Sequence, residues 1–246
     1  MLLNIYKDYE TLSNEAADEI ITTIKNNPST VLCLATGDTP RLTYTLMAQK
    51  ATEQKIDFSQ CSFVALDEWV GIAPQNEGSC HFFLETCVFK PLNINASNIY
   101  LFDALSTDLE NECRKMDKVI KEKNGIDLML VGVGMNGHIG FNEPGIPANK
   151  YAHVVDLDNT TQTVGQKYFT ASATLKQGIT LGLQHFLESK RVIMLVNGSK
   201  KAAVMKQALE TEISINVPAG IIRVHPNGLV MMDKDAAALL ASENEN

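Results

Sequence analysis

Three short segments of the chain combine side chains that transfer protons or bind anions with residues that bend the backbone. They span residues 35–41, 65–71 and 131–145, and each follows an apolar run. Acid/base catalysis needs groups that exchange protons near neutral pH, and phosphate binding needs exposed backbone N–H groups and cations. Candidate functional residues are therefore expected in these three segments.

The first segment, ATGDTPR, has the composition of a phosphate-binding loop at the start of a helix. Gly37 permits a sharp bend, and Pro40 suits the first turn of a helix. The N–H groups exposed there, with the hydroxyls of Thr36 and Thr39, would form an anion site. The structural alternative is that Asp38 or Thr39 is the N-cap of an ordinary helix.

The second segment, ALDEWVG, places two adjacent carboxylates, Asp67 and Glu68, at the end of an apolar run. Neighbouring side chains alternate in extended chain, so one carboxylate can face a cleft while the other points away. Burial raises the pKa of a carboxyl group towards neutral pH, where it can act as a general base. A solvated turn is the alternative interpretation.

The third segment, VGVGMNGHIGFNEPG, is a glycine-rich loop that contains a histidine and a glutamate. Gly132, Gly134 and Gly137 match the dinucleotide pattern G-x-G-x-x-G, but further helix breakers follow where that pattern requires a helix. We therefore reject a nicotinamide or flavin site. A loop can fold His138 onto Glu143, and an imidazole held by a carboxylate passes protons near neutral pH. A structural role for the lone histidine is the alternative.

The elements that must position these loops alternate between short apolar runs and longer amphipathic stretches. The apolar runs, predicted as strands, are 30–35, 62–66, 98–102, 126–133, 191–196, 220–224 and 229–232. The stretches predicted as helices from their three- and four-residue apolar spacing are 11–26, 41–52, 106–123, 178–188 and 199–210.

This alternation predicts an α/β fold: a single doubly wound, mostly parallel, Rossmann-like sheet with helices on both faces. One domain is expected over 1–246, with a fraying polar tail at 242–246. Ligands of such sheets bind beyond the carboxyl ends of the strands, where the three loops lie.

Composition excludes several classes of function. Lys plus Arg number 21 against 29 Asp plus Glu, a formal net charge of −8, which argues against nucleic acid as a partner. No apolar stretch is long enough for a membrane span, and the acidic amino terminus does not resemble a signal peptide. A cytoplasmic location is expected. Five cysteines without a CxxC pair indicate buried thiols in a reducing compartment.

Other catalytic classes also lack support in the sequence. The remaining histidines, which are scattered without the spacing of metal ligands, are His81, His153, His185 and His225. Neither G-x-S-x-G nor GK[ST] occurs, which argues against a serine nucleophile and a Walker-type nucleotide site.

Six segments together resemble the aminosugar-phosphate deaminase/isomerase family. They are LATGDTP (34–40), LDEWVG (66–71), GVGMNGHIGFNEPG (132–145), GITLGL (178–183), NGSKKA (197–202) and VPAGIIRVHP (217–226). They follow the family's order across nearly the whole chain, and GHIGFNEP is highly specific. The residues of the segments LATG-x-TP, LDEW and GITLGL are more similar to those of the galactosamine-6-phosphate branch.

The resemblance implies conversion of a 2-amino-2-deoxyhexose 6-phosphate to a ketohexose 6-phosphate plus ammonia, without a metal or organic cofactor. The expected substrate is galactosamine 6-phosphate, giving tagatose 6-phosphate; the alternative is glucosamine 6-phosphate, giving fructose 6-phosphate. Two further alternatives are a 6-phosphogluconolactonase-like hydrolase, which shares the fold, and a sugar-phosphate sensing domain. A sensing domain should carry a DNA-binding helix-turn-helix, of which the sequence has no sign.

The resemblance also assigns roles to individual residues. Asp67 matches the base that moves the C2 proton, His138 the group that opens the sugar ring, and Glu143 its carboxylate partner. Asn136 stands where many members have a third acid. The residues expected to bind substrate or its phosphate are Thr36, Gly37, Asp38, Thr39, Gly137, Lys167 and Lys201.

Some features depart from the family's pattern, and Asp38 stands where the phosphate loop usually has Gly or another small residue. A carboxylate at Asp38 would repel phosphate, so Asp38 is expected to point away as a helix cap or to meet a sugar hydroxyl. His153 and the short carboxyl terminus do not match the basic residues and tail of the allosteric hexamers. The protein is therefore expected to be a monomer or small homo-oligomer, with a small-molecule substrate as its partner.

Overall fold

The computed structural model describes residues 1–241, and its centre within them is a seven-stranded parallel sheet. The strands of the described chain are β1 (Leu2–Tyr6), β2 (Val31–Leu34), β3 (Ser62–Ala65), β4 (Asp67–Trp69), β5 (Ile99–Tyr100), β6 (Leu128–Val131), β7 (His153–Asp156), β8 (Gln177–Thr180), β9 (Val192–Val196) and β10 (Gly228–Asp233). The central sheet has the order β1-β10-β9-β6-β2-β3-β5. Each pair of neighbours in it is parallel, which confirms the predicted α/β class.

Helices cover both faces of this sheet. The α-helices of the described chain are α1 (Tyr9–Asn26), α2 (Asp38–Gln54), α3 (Cys80–Leu84), α4 (Leu109–Glu122), α5 (Asn159–Gly165), α6 (Leu183–Glu188) and α7 (Ala202–Glu210). Alternate residues of β2 face opposite cores: Leu32 and Leu34 pack with α1 and α2, whereas Val31 and Cys33 pack with α4, α6 and α7. The sheet is buried on both faces, as its uninterrupted apolar runs predict.

A second, three-stranded antiparallel sheet, β4-β8-β7, was not predicted. The chain crosses from the central sheet into it at Leu66, the residue between the end of β3 and the start of β4. Ile179 and Leu181, on and just after β8, belong to the same apolar cluster as Val131 of the central sheet. The two sheets therefore share a core, although a single domain over 1–246 stays a prediction.

The predicted helix over 178–188 is wrong in its first half. Residues Gln177–Thr180 form β8, and the helix begins only at Leu183. The backbone at Gly182 passes so close to another segment that an added Cβ would lie 2.0 Å from the carbonyl oxygen of Lys150. Close approach of two backbones requires glycine and separates the strand from the helix.

The predicted strand over 220–224 is also wrong, because residues Pro218–Val224 form a 3₁₀ helix. Pro218 suits the first turn of a helix, which has no partner for a backbone N–H. Conversely, β1 was missed because its side chains are exposed: Leu2, Leu3 and Ile5 are 68%, 39% and 49% exposed at the edge of the sheet.

The tail at 242–246, expected to fray, lies outside the described residues. Among the helices described within 1–241, none combines the length and the apolar character needed to span a bilayer.

Candidate active site

A cleft of about 690 Å³ lies at the carboxyl ends of the central strands. The segments that follow β2, β3, β6 and β9 all contribute to its wall. The structure thus brings together the three loops singled out in the sequence, at the edge where parallel sheets bind ligands.

The loop after β2 forms one end of the cleft. Gly37, with a φ of 101°, is the N-cap of the 17-residue helix α2. Residues with a side chain rarely adopt this positive φ. An added Cβ would also lie 3.1 Å from the hydroxyl oxygen of Tyr168. The Thr39 hydroxyl donates to Oδ1 of Asn197 (2.6 Å), and the Thr36 hydroxyl to the sulfur of Cys80 (3.3 Å). The positive end of the α2 dipole therefore faces the cleft.

Two lysines contribute positive charge near this helix end. Nζ of Lys201 donates to the carbonyl of Val133 at 2.5 Å. Burial, and repulsion from Lys167, lower the pKa of Lys201 to about 8. Lys167 lies on the 3₁₀ turn after α5 and is half exposed. Both lysines line the cleft.

Asp38 is not a helix cap, contrary to that part of the expectation. It lies in the first turn of α2, after the N-cap Gly37, and its Oδ2 is 2.6 Å from Nζ of Lys167. The carboxylate thus neutralises one of the two cations expected to bind phosphate. Its backbone carbonyl accepts a hydrogen bond from the hydroxyl of Tyr9.

Asp67 faces the cleft and is only 9% exposed. Burial raises its pKa to about 7, against a hydrogen bond from Cys80 (Sγ to Oδ1, 3.4 Å) that lowers it. Glu68 points the other way, where it accepts hydrogen bonds from the backbone N–H groups of Trp69, Cys80 and His81. The alternation expected of adjacent carboxylates is therefore present: one at the cleft, one holding the start of α3.

His138 also lines the cleft, and a carboxylate and a hydroxyl lie next to its Nδ1. The Thr161 hydroxyl is 3.0 Å and Oε2 of Glu143 is 3.5 Å from this nitrogen. Glu143 is buried, which by itself raises its pKa, but hydrogen bonds with His138, Thr161 and Asn136 outweigh burial and lower the pKa. Glu143 is therefore an anion placed against the imidazole.

Asn136, Gly137 and Glu143 do not line the cleft in the described part of the chain, but lie behind His138. Nδ2 of Asn136 donates to Oε2 of Glu143 (2.9 Å), and its Oδ1 accepts from the backbone N–H of His138. Gly137 has a φ of 86°, and its carbonyl accepts from the N–H of Ala219 at 2.8 Å. These three residues shape and hold the histidine loop.

Sequence reasoning missed several cleft residues. Thr161 carried no signal, because the short helix α5 was not predicted. Trp69 and Phe141, with ring centroids 4.6 Å apart, line the wall between Asp67 and the loop of His138. Cys80 was assigned only as a buried thiol. Asn197 was contained in the NGSKKA segment but was not singled out.

Within residues 1–241, no group of three or more His, Cys, Asp and Glu side chains is placed to hold a metal ion. In that part of the chain, the titratable and charged side chains that line the cleft are three carboxylates, one imidazole, four cations, one thiol and one phenol: Asp38, Asp67, Glu77, His138, Arg41, Lys167, Lys200, Lys201, Cys80 and Tyr168.

Comparisons with known proteins identify the family of the chain. Residues 7–231 match the family model described as glucosamine-6-phosphate isomerases/6-phosphogluconolactonase. A glucosamine-6-phosphate deaminase of Thermoanaerobacter pseudethanolicus is 36% identical over 245 residues, covering 99% of this chain and 97% of that protein. That of Bacillus pumilus is 37% identical over 235 residues, covering 95% and 98%.

Solved structures show the same architecture. A monomeric glucosamine-6-phosphate deaminase superimposes with a TM-score of 0.94 at 34% identity, covering 97% of this chain and 100% of the other. The 6-phosphogluconolactonase of Trypanosoma brucei has a TM-score of 0.79 at 18% identity, covering 98% of each chain, a similarity of fold alone. The names of these relatives agree with the glucosamine alternative better than with the galactosamine branch expected from motif wording. The chain belongs to the glucosamine-6-phosphate isomerase/6-phosphogluconolactonase family and is an enzyme of its aminosugar-phosphate deaminase/isomerase group.

Proposed function

We propose that the protein is a glucosamine-6-phosphate deaminase, which converts glucosamine 6-phosphate and water to fructose 6-phosphate and ammonia. The observation that carries this proposal is one cleft lined both by a buried carboxylate, Asp67, and by His138, whose Nδ1 lies 3.5 Å from the buried carboxylate of Glu143. The names of the relatives favour glucosamine over galactosamine as the substrate.

The 6-phosphate is assigned to the end of the cleft formed by α2. A dianion there would accept hydrogen bonds from backbone N–H groups at Gly37 and from the hydroxyls of Thr36 and Thr39. Lys201 adds a charge-assisted hydrogen bond from the neighbouring loop. This local positive field explains how a protein with a net charge of −8 binds an anionic substrate.

Ring opening is assigned to His138. The reaction moves a proton from the O1 hydroxyl to O5 and breaks the C1–O5 bond, which leaves the open-chain aldehyde. An imidazole can accept and return that proton near neutral pH, and the anionic Glu143 stabilises its protonated form. Thr161 fixes the orientation of the ring through Nδ1.

Isomerisation is assigned to Asp67. The carboxylate removes the proton from C2 while the aldehyde oxygen O1 takes up a proton, giving an enolamine. It then returns its proton to C1 as the nitrogen loses one N–H proton, giving the 2-imino sugar, so the proton gained at O1 balances the one lost from nitrogen. Water then adds to the C2=N bond and ammonia leaves, so the overall reaction consumes one water. A base that is half ionised at neutral pH suits both removal and return of a proton.

A side-by-side assay of ammonia release from glucosamine 6-phosphate and galactosamine 6-phosphate tests the substrate. We expect the higher kcat/KM with glucosamine 6-phosphate. A preference for galactosamine 6-phosphate would restore the branch predicted from motif wording. Hydrolysis of 6-phosphogluconolactone, with no ammonia from either aminosugar, would instead identify a lactonase.

The substitution Asp67→Asn tests the mechanism. Exchange of the C2 proton with solvent deuterium should stop, because an amide cannot act as the base, while binding of inorganic phosphate persists. Unchanged exchange would remove Asp67 from the proposed role. The cytoplasmic location and a monomeric or small oligomeric state stay predictions.

A further inference from the structure

The thiol of Cys80 lies between the base and the phosphate-binding loop. Cys80 is the first residue of α3, is 6% exposed and lines the cleft. Its sulfur is 3.4 Å from Oδ1 of Asp67 and 3.3 Å from the hydroxyl oxygen of Thr36. These two neighbours are 13 and 44 residues away along the chain, so tertiary structure creates the contact.

The chemistry of the three groups fixes the direction of the hydrogen bonds. Burial, and the nearby charges of Asp67 and Glu68, raise the pKa of the Cys80 thiol well above its usual range, so the proton stays on sulfur. A carboxylate only accepts, so the S–H group donates to Asp67. The Thr36 hydroxyl donates to the sulfur, which directs the thiol hydrogen away from it and towards Oδ1.

The backbone beneath the thiol is also fixed. The N–H of Cys80 donates to Oε1 of Glu68 at 3.0 Å, and the N–H of His81 donates to Oε2 at 2.8 Å. Glu68 is buried and neighbours the base itself. The carboxylate that points away from the cleft therefore anchors the residue whose side chain reaches back to Asp67.

We propose that Cys80 is a positioning residue for the proposed base, whose thiol donates a hydrogen bond to Oδ1 of Asp67 and leaves Oδ2 directed towards the cleft. Oδ2 lies on the side of Gly140, where an added Cβ would be 3.4 Å from it. The role in catalysis rests on the proposed function, because it acts through Asp67.

Other titratable groups also interact with the carboxylate of Asp67, and they are unchanged in the variants of Cys80. Glu68 on the same strand raises its pKa. The thiol of Cys33 on β2 and the phenol of Tyr44 on α2 interact with its charge. The other charged or titratable side chains that line the same cleft are His138, Arg41, Lys167, Lys200, Lys201, Asp38, Glu77 and Tyr168.

The first experiment compares the pH profiles of kcat/KM for Cys80→Val and Cys80→Ser. Valine removes the hydrogen-bond donor, which should raise the pKa of Asp67. The acid limb of the profile should therefore move to higher pH by about half to one pH unit. At pH values below this limb, kcat/KM should fall by about three- to tenfold. Serine restores a hydrogen-bond donor. The acid limb of Cys80→Ser should therefore lie at the same pH as that of the unmodified enzyme or at a lower pH.

Cys61→Val is the matched control. Cys61 is also fully buried, but its thiol faces the carbonyl of Pro28, away from the cleft. The acid limb of Cys61→Val should lie at the same pH as that of the unmodified enzyme. Superimposable limbs for the unmodified enzyme and Cys80→Val, or equal displacements in the Val and Ser variants, would overturn the proposal.

A second measurement separates this proposal from the proposed function, because it needs no turnover. The S–H stretching band of Cys80 can be assigned by infrared difference between the unmodified protein and Cys80→Ser. We expect the band to move to lower frequency as Asp67 ionises with rising pH, and to stay constant in Asp67→Asn. A band that ignores pH in the unmodified protein would refute the hydrogen bond, whatever the enzyme's substrate.

Discussion

Asp67 is buried and Lys201 is half-buried at the cleft, and loss of solvent moves the pKa values of an acid and a base towards each other. That of Asp67 rises to about 7, and that of Lys201 falls to about 8. The proposed base must be ionised and the proposed phosphate ligand must be protonated. The two requirements overlap only in a narrow range of pH.

We expect kcat/KM for glucosamine 6-phosphate to be bell-shaped, rising as Asp67 loses its proton near pH 7 and falling as Lys201 loses its proton near pH 8. The pH profile of the free enzyme measures both limbs. Lys201→Gln should abolish the alkaline limb and raise KM. A profile that is flat from pH 6 to pH 9 would contradict both assignments.

Glu143 holds His138 by charge, and its removal should affect catalysis more than binding. We expect Glu143→Gln to lower kcat by roughly 100-fold with little change in KM, and Thr161→Val to cause a smaller loss. Steady-state kinetics measures both. Glu112→Gln is a matched control, since Glu112 is a buried acid on α4 that pairs with Lys115. Equal losses of kcat in Glu143→Gln and Glu112→Gln would indicate a general effect on folding.

The sequence located the proposed base and the histidine pair because each lies in a short contiguous motif. It could not locate Thr161, which reaches His138 from a helix 23 residues further along the chain. Nor could it assign a function to Cys80, whose two partners are brought to it only by folding. Contacts of this kind depend on the relative placement of elements, which local patterns do not encode.

At the level of elements, the ion pair between Asp38 and Lys167 joins the first turn of α2 to the segment after α5. Both side chains are half exposed or more, at 63% and 50%. Such a pair contributes little to stability. The negative charge of Asp38 nevertheless lies where the substrate phosphate is expected. The ion pair also engages Lys167, a cation that could otherwise bind phosphate.

We expect Asp38→Asn to lower KM by about two- to fivefold, because it frees Lys167 and removes a negative charge beside the phosphate. The inhibition constant of inorganic phosphate should fall in parallel. Asp57→Asn, which alters an exposed carboxylate bonded to Ser59, serves as the control. A higher KM in Asp38→Asn would show instead that Asp38 orients the lysine for binding.

The glycine loop after β6 offers a second test at this level. An added Cβ at Gly134 would lie 2.2 Å from the imidazole of His138, whereas at Gly132 no described atom lies within 4 Å. We expect Gly134→Ala to lower kcat by roughly 100-fold, because the imidazole must move. Circular dichroism should show an intact fold. A loss as large in Gly132→Ala would mean that the loop backbone, and not the ring contact, is sensitive.

The longer elements whose buried residues recur in an apolar pattern were predicted, whereas β1 and β4 were not. The helix α4 carries Cys113, Met116 and Ile120 on its buried side, and its apolar spacing is visible in the sequence. The strands β1 and β4 lack such a pattern, because β1 is exposed and β4 consists of Asp67–Trp69. For β8, the pattern Gly-Ile-Thr-Leu-Gly-Leu fits a strand or a helix until the contact at Gly182 is known.

At the level of the whole molecule, the shared apolar core predicts that both sheets unfold together. We expect one calorimetric transition, with equal calorimetric and van't Hoff enthalpies of about 0.7 kcal/mol per residue near 60 °C. Differential scanning calorimetry measures this. Two resolved transitions would show that the sheet β4-β8-β7 is an independent unit, contrary to the single domain predicted from the sequence.

The crossing of the chain at Leu66 has a further consequence for how such an enzyme can diversify. The proposed phosphate loop follows β2 of the central sheet, whereas Asp67, the proposed base, is the first residue of the small sheet. A slight sliding of one sheet against the other would alter the distance between the anchored end of a substrate and the carbon that loses its proton. Substitutions in the packing between the sheets could therefore adapt the cleft to longer or shorter sugar phosphates while every reacting side chain is retained.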